Sequence, residues 1–518
     1  MPSADTAPTP LADGASSGLL AAIDIGSNSF RLEIGQLQRG RYKRIDYLKE
    51  TVRLGAGLDD EGRLSEEAQL RGLACLARFA IRLRGFAAWQ VRAVATQTLR
   101  EAKNRDAFLA RARTVLGQPI EVISGREEAR LIFAGVARLQ PSERPRIVID
   151  IGGRSTEMIL GQGRTPRSAE SFQVGSVSLS MRYFADGRYT DSAFRAAQIA
   201  AGAELEEALA PFAPGQWIEA LGASGTVGAV SQLLLANGVT DGVITPAGLR
   251  WCIETCLLAG DEDALVGLPG LKPERRAVLG GGLSILYTLA MQFGIDALQP
   301  ARGALRQGVI FDLSERHEAA SVPADAPRRL RLDMRDASVQ ELQRRFGSDL
   351  AQAARVGRLA LKMFRSGGLE RAPSEAPREL GWAASLHEIG MSVSHHDHHR
   401  HSAYLISHVD APGFSQSQQR RVAELVLGHR GSLRKLDATL ANDATLWPVL
   451  CLRLAALLCH ARHDVPERVV TLRRTPQGAT LKLAPDWAAG HPRTMHLLAE
   501  EQRLWERSGR LGLAVTST

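Results

Sequence analysis

The sequence predicts two related α/β lobes followed by a helical region and a small α+β end, and three observations carry that reading. Residues 23–35, IDIGSNSFRLEIG, are echoed by residues 149–161, IDIGGRSTEMILG, at an offset of 126 that lays Asp24 on Asp150, Gly26 on Gly152, Ser29 on Ser155 and Gly35 on Gly161. Strand-like runs alternate with helical apolar spacing between and after the two copies. A polar, Pro- and Ala-rich stretch, FDLSERHEAASVPADAPRR, then marks a linker, beyond which the patterning is helical.

Taken in order, residues 1–17 are polar and rich in Pro, Ala and Ser. They lack the basic start and apolar core of a signal peptide, and read as a disordered arm. Each echo is an apolar run, a Gly-rich turn and an alternating second stretch, the signature of a β-hairpin with an Asp at the end of its first strand. Between the copies, EEAQLRGLACLARFAIRLRGF has helical spacing, VRAVATQTLR reads as a strand into a turn, and PIEVISGREEARLIFAGVARL as strand, turn and helix. After the second copy come a helical stretch around 194–209, the Gly-rich ALGASGTVGAV, and the helical RRAVLGGGLSILYTLAMQFGI; near the end, VVTLRRTPQGATLKLAP alternates like a hairpin. The expected division is an arm over 1–17, a first lobe over 18–133, a second over 134–314, a helical domain over 325–468 and a small α+β domain over 469–518. A chain of 518 residues agrees, at roughly 150 residues per domain.

With 44% hydrophobic and 23% charged residues, the chain can bury ample core, which excludes general disorder. The net charge of +8 permits an anionic ligand without naming one, because only seven of the 64 basic residues are Lys and the Arg excess follows an Ala/Leu/Arg-rich composition. Nucleic acid is therefore not the expected partner. Five cysteines, none in a CxxC pair, fit a reduced cytoplasm and core filling. No uninterrupted apolar run reaches the roughly 18 residues of a spanning helix.

The chemistry concentrates at the two turns. Gly, Ser and Asn there present backbone N–H groups and hydroxyls to a phosphate chain lying between the lobes, and glycine lets the backbone approach the anion. Asp24 and Asp150 beside the turns, with Glu157 in the second strand of the second hairpin, can hold Mg²⁺, which takes one or two carboxylates plus phosphate oxygens. Either turn alone could be a tight hairpin whose Asp only bonds its own backbone. Both together, with Gly222, Ser224, Gly225 and Thr226 in a third Gly-rich segment, favour a phosphate cleft. In VISGREEARL, Glu127 and Glu128 fall in the first turn of a helix, where acids complement the dipole; one of them facing inward is a candidate base for water. Arg31, Arg100 and Arg154 sit in or just after the turns, with guanidinium groups suited to phosphate.

VDIGSNS-type and VIDIGGGSTE-type turns, ATxTLR, VISGxEEARL, GASGT and GALRxG (GALRQG, residues 303–308) occur in this order in the exopolyphosphatase and guanosine pentaphosphate phosphohydrolase family, which this sequence resembles from about residue 20 to 313. GWAASLHEIGMSVSHHDHHRHSAYLI and DAPGFSQSQQRRVAELVLGHR are similar to the helical extension of its long proteobacterial exopolyphosphatase-type members. The resemblance implies a duplicated actin-like, ribonuclease-H-type fold with the active site between the lobes, followed by a mostly helical HD-like domain and a small α+β end. It places the catalytic glutamate on Glu128 and the Mg²⁺-associated acids on Asp150 and Glu157, with Asp24 as the first-lobe counterpart. Phosphate contacts fall on Ser27, Asn28, Ser29 and Arg31, on Gly152, Gly153, Ser155 and Thr156, and on Arg100 and Arg275; Arg154, Gly222, Ser224 and Gly225 complete the expected phosphate-binding set. Departures are Arg154 for the third Gly of GGGST, Ala277 for the acid of an ERAD-like segment, Gly280 for a Pro, and Arg302 for the Asp before GALR.

The implied activity is Mg²⁺-dependent, processive release of orthophosphate from the end of inorganic polyphosphate. The alternative is removal of the 5′ γ-phosphate of guanosine pentaphosphate. Further expectations are a homodimer, room for activation by a monovalent cation, and a cytoplasmic location that allows peripheral association with the inner membrane. An actin-fold kinase and a polyphosphate sensor without turnover stay open as less favoured readings.

His387, His395, His396, His398, His399, His401 and His408 crowd one segment, and His387-Glu388 stands where HD-type phosphohydrolases carry His-Asp. The earlier helix AQAARVGRLALKMF has no His, and His460 and Asp464 depart from the later HD pattern. The expectation is a relict HD-like scaffold with solvent-facing histidines. A metal centre and a polyanion surface that strengthens in acid are the alternatives.

Overall fold

The computed structural model describes residues 18–38, 40–322, 332–368, 375–437, 439–476 and 478–517, so the predicted arm and residues 323–331 of the linker lie outside the described residues. The chain divides into two compact units, Met1–Arg331 and Leu332–Thr518.

The first unit opens with β1 (Leu19–Ile25), β2 (Ser29–Gln38) and β3 (Arg41–Thr51), then α1 (Glu66–Arg82), β4 (Val91–Ala95), α2 (Gln97–Glu101), α3 (Arg105–Leu116), β5 (Ile120–Val122) and α4 (Gly125–Leu139). It repeats the plan with β6 (Arg146–Ile151), β7 (Thr156–Gln162), β8 (Thr165–Phe172), α5 (Ser176–Tyr183), α6 (Asp191–Leu205), β9 (Glu219–Gly222), α7 (Gly225–Ala236), α8 (Pro246–Ala259), α9 (Leu279–Gln292), β10 (Leu298–Pro300) and α10 (Leu305–Ser321). The sheet orders are β3-β2-β1-β4-β5 and β8-β7-β6-β9-β10, antiparallel through the hairpins and parallel beyond them, so the sequence echo is the start of a duplicated fold.

The glycines Gly35 and Gly161 mark the same device in both copies. Each sits where the register slips by one residue against the next strand, and a Cβ at either would strike an aromatic ring, Tyr42 at 2.4 Å or Phe133 at 2.2 Å. A β-bulge of this kind re-aims the residues beyond it.

The strand β1, LLAAIDI, is buried along its whole length because both faces of its sheet are covered. One face packs on α1 and α3 through Phe30, Phe79 and Phe108. The other joins Val148, Ile159 and Leu221 of the second sheet in a core supplied by Ile132, Phe133 and Val136 of α4 and Val309 and Ile310 of α10. The helices α4 and α10 therefore run unbroken past the predicted limits at 133 and 314, and α10 extends into the stretch read as linker. Their close packing explains the glycines of GALRQG. A Cβ on Gly308 would lie 1.7 Å from the Leu131 carbonyl oxygen, and one on Gly303 2.2 Å from that of Gly135.

The second unit contains α11 (Met334–Arg345), α12 (Leu350–Ser366), α13 (Ala376–Leu386), α14 (His398–His408), α15 (Gln416–Gly428), α16 (Asp443–Leu458), β11 (Val470–Thr475), β12 (Gly478–Leu483), α17 (Pro485–Gly490), α18 (Pro492–Ser508) and β13 (Gly512–Thr516). The predicted hairpin is β11–β12, and β13 adds a parallel strand to it. The limit expected at 468/469 falls inside one core, where Leu472, Leu481 and Trp505 pack with Val356, Leu380 and Leu450. No helix among the described residues is long and apolar enough to cross a membrane.

Gly308→Ala is expected to destabilise the first unit by about 1–3 kcal/mol or more, because backbone must move to admit the methyl. Gly228→Ala, in α7 with nothing within 4 Å of the new methyl, is expected to be neutral or stabilising by up to about 1 kcal/mol. Urea midpoints of the two variants check this, and equal midpoints would contradict it.

Candidate active site

The two hairpin turns meet across a cleft of about 450 Å³ within the first unit. A Cβ on Gly153 would touch the Ser27 side chain at 3.2 Å and lie 3.6 Å from the Asn28 nitrogen, so the second turn rests against the first only because it is bare there. The first turn is held from below, where Thr98 Oγ1 donates to Ser27 Oγ at 2.8 Å and Gly55 N–H to the Ser27 carbonyl at 2.8 Å. Ser29 Oγ is buried without a partner. The starts of α7 and α10 also line the cleft, bringing the positive ends of two helix dipoles to it.

Charge divides this cleft. Asp24, Glu128 and Asp150 line it, with Glu157 directly behind. Arg31, Lys49, Lys272, Arg275 and Arg306 line it as well. Asp24 receives Arg31 at 3.2 Å and Arg306 at 3.7 Å. The Arg306 Nε in turn is fixed by Glu33 at 3.1 Å. Burial pushes up the Arg275 and Lys49 tendency to lose a proton, lowering both pKa values, and each is lowered further by Arg31. Cations that depress one another in this way gain from an anion.

Glu128 and Glu127 are separated by their partners. Ser124 caps α4, accepting from Glu127 N–H. The Glu127 side chain turns away into a buried network with Arg130 at 2.7 Å, where Asp312 takes Arg130 at 2.6 Å and Arg92 at 2.7 Å. Glu128 turns into the cleft and accepts from Arg100 Nη1 at 2.8 Å. Burial raises the Glu128 pKa; Arg100 opposes that shift and Asp24 adds to it. Burial also raises Glu157, with Glu128 and Asp150 adding to the shift.

The arrangement, carboxylates on one side and an anion cradle on the other, is that of a site for phosphoryl chemistry. The profile of the Ppx/GppA phosphatase family matches residues 34–317, and that of domain III of the same phosphatases matches residues 334–502. The chain belongs to the Ppx/GppA phosphatase family. It is 37% identical over 490 residues, 93% of this chain and 95% of the relative, to a guanosine-5′-triphosphate,3′-diphosphate pyrophosphatase of Vibrio cholerae. An exopolyphosphatase-like protein of known structure is 25% identical, with a TM-score of 0.51 over 57% of this chain and 97% of its own. An exopolyphosphatase from Cytophaga hutchinsonii, 23% identical, has the same fold with a TM-score of 0.52 over 57% of this chain and 98% of its own. As a Ppx/GppA phosphatase the protein has the actin-like duplicated fold and hydrolyses phosphoanhydride bonds.

Of the expected site positions, Asp24, Ser27, Asn28, Ser29, Arg31, Glu128, Asp150, Gly152, Gly153, Ser155, Ser224, Gly225 and Arg275 line the cleft. The others do not. Arg154, expected at the phosphates, is turned aside by Glu101, which takes its Nε at 3.0 Å and Nη2 at 2.7 Å. Thr156 Oγ1 donates to the Val174 carbonyl at 2.6 Å and is wholly buried. Gly222 ends β9 beneath the Val227 side chain. Arg100 lies behind Glu128, and Glu157 lies behind the lining acids, accepting from Ser171 at 2.8 Å. Gly26 and Arg302 also line the cleft. Sequence reasoning missed Arg44, Tyr47, Lys49, Lys272 and Arg306; only Arg306 lay within a quoted motif, the Arg of GALRQG.

The histidine expectation is corrected in the second unit. His387, His398 and His399 are buried rather than solvent-facing, and His429, which the sequence reading did not single out, is buried among them. The rings of His387 and His398 lie 5.2 and 5.6 Å from that of His429. Burial lowers all four pKa values, that of His399 to about 4. Glu388 pairs with Arg462 at 3.0 Å, and Asp464 with Arg358 at 2.7 Å. Among the described residues no group of three or more His, Cys, Asp or Glu is arranged to hold a metal.

In metal-free protein, burial and the neighbouring Glu128 raise the Asp150 pKa from 3.8 to about 7. Between those values the folded state keeps a proton that the unfolded chain has released, so stability falls as pH rises through that window. Asp150→Asn removes the titration. In the presence of a chelator it is expected to be more stable than wild type at pH 8 and to match it near pH 4, read from thermal midpoints; lower stability at pH 8 would contradict the electrostatic account.

Proposed function

We propose that this cleft hydrolyses the terminal 5′ phosphoanhydride of guanosine 5′-triphosphate 3′-diphosphate, releasing orthophosphate. The observation that carries the chemistry is Glu128, a buried carboxylate of raised pKa that shares one cleft with the two turns and their cations. The guanosine substrate is favoured by the likeness to the Vibrio cholerae protein over 93% of the chain. Inorganic polyphosphate is the second reading, supported by a rim whose cations suit any chain of phosphates.

Glu128 takes a proton from the attacking water, and its raised pKa brings it nearer the working pH of a general base. Arg100 is a positioning residue: it holds the carboxylate without lining the cleft. The N–H groups of the two turns, the unpartnered Ser29 hydroxyl and the starts of α7 and α10 receive the charge that develops on the transferred group. Arg31, Arg275 and Lys49 bind the phosphates.

The acids form an all-oxygen donor set that suits Mg²⁺. Because no three of them converge, Asp150 with Asp24 or Glu157 would hold the ion by one or two carboxylates, leaving its other positions to phosphate and water. Bound Mg²⁺ supplies neutralisation of phosphate charge.

Glu128→Gln is expected to lower kcat about 10²–10⁴-fold with little change in KM, measured as phosphate release from guanosine pentaphosphate and from long-chain polyphosphate side by side. Chelation of divalent ions is expected to abolish release from both. Near-wild-type turnover by Glu128→Gln would refute the assigned base, and a wild type inert on the guanosine substrate would refute the substrate.

A further inference from the structure

A cleft serving phosphates alone needs cations and N–H donors, but no ring. Tyr47 is the one aromatic side chain lining this cleft among the described residues, and it is 36% exposed. Its position follows from the bulge in β3. Ile34 pairs with Asp46 and Gly35 with Arg44, leaving Ile45 as the extra residue. In a regular strand Ile45 would share a face with Tyr47 and Lys49, because side chains alternate. The extra residue reverses that parity, so Arg44 lines the cleft with Tyr47 and Lys49 while Ile45 does not. The bulge thus replaces an aliphatic side chain with a guanidinium at the cleft wall.

The guanidinium of Arg44 lies 5.4 Å from the centre of the Tyr47 ring, and that of Arg306 lies 5.2 Å from it. Arg306 is committed to Glu33 and Asp24. Arg44 makes no ion pair among the described residues. Lys49, two residues along the strand and so roughly 7 Å away, belongs to the phosphate wall beside its cross-strand neighbour Arg31. Ring and guanidinium therefore stand next to the phosphate subsite without a phosphate partner of their own. Flat aromatic and guanidinium surfaces of this kind stack on the π face of a nucleobase.

We propose that Arg44 and Tyr47 form the subsite for the purine base of a phosphorylated nucleoside, so that this cleft reads the nucleoside end of its substrate as well as the phosphates. The inference rests on the guanosine reading given above. Arg44, whose guanidinium lies over the Tyr47 ring, gives the base a planar cation to stack on, and Tyr47 backs it. Base-free phosphate chains bypass both residues.

The test compares kcat/KM for guanosine 5′-triphosphate 3′-diphosphate and for inorganic tripolyphosphate in wild type, Tyr47→Leu, Tyr47→Phe and Arg44→Ala. If tripolyphosphate is not turned over, its inhibition constant against the guanosine substrate serves as the base-free reference. Loss of one stacking partner is expected to cost about tenfold. Tyr47→Leu should lower kcat/KM for the guanosine substrate by that factor through KM and leave the base-free value within about twofold. Tyr47→Phe should retain the wild-type ratio, and Arg44→Ala should fall on the side of Tyr47→Leu. Equal losses on both substrates, or no loss on either, would overturn the inference while leaving the guanosine reading intact. A wild type that hydrolyses tripolyphosphate but not the guanosine substrate would overturn both.

Discussion

Asp24, Glu128 and Asp150 line one cleft with Glu157 behind them, and their mutual repulsion is the constraint to which the rest of the first unit responds. Glu128 raises Asp150 and Glu157, Asp24 raises Glu128, and burial strengthens each effect. Such a cluster costs stability in the resting protein and persists because it is over-determined from outside. Arg100 fixes Glu128, Arg31 and Arg306 fix Asp24, and Ser171 fixes Glu157. The cations beyond repel one another in turn, so both walls of the cleft gain from a ligand that carries negative phosphates and brings a divalent cation with it.

Duplication accounts for how the charges came to be divided. In the first sheet one register row reads Asp24, Arg31, Lys49 across β1, β2 and β3; in the second the equivalent row reads Asp150, Glu157, Ser171 across β6, β7 and β8. The same backbone positions carry cations in one lobe and an acid with its hydroxyl partner in the other. The fold supplies two equivalent rows, and side-chain divergence sets two cations beside Asp24 in one and Glu157 with Ser171 beside Asp150 in the other. In the second unit, His387, His398 and His399 are buried around His429, and among the described residues no group there is arranged to hold a metal.

Much of this was legible in the sequence where local chemistry decides. The echo located both hairpins, and the capped start of α4 put Glu127 and Glu128 in a first helical turn. Which of the two faces the cleft was legible through the family resemblance but not from the helix pattern, because Asp312 and Arg92, distant along the chain, claim the Arg130 partner of Glu127 and draw Glu127 inward. Arg154 was misplaced for a like reason: its carboxylate, Glu101, lies on α2 of the other lobe. Arg44 was hidden by the bulge, since period-two reading assigns its place to Ile45. The helices α4 and α10 cross positions 133 and 314, and the core that holds the terminal sheet spans position 468, where composition shows no break.

The central claim is that Glu128 is the titrating base of this cleft and that Arg100 sets its proton affinity. The pH dependence of kcat/KM for wild type and Arg100→Gln tests this most directly. Arg100 lowers the Glu128 pKa through charge and hydrogen bonding, so its removal should move the acid limb of the profile to higher pH while activity partly recovers on the alkaline side. An Arg100→Gln profile that keeps its acid limb where wild type has it, lowered by one factor at every pH, would contradict the account.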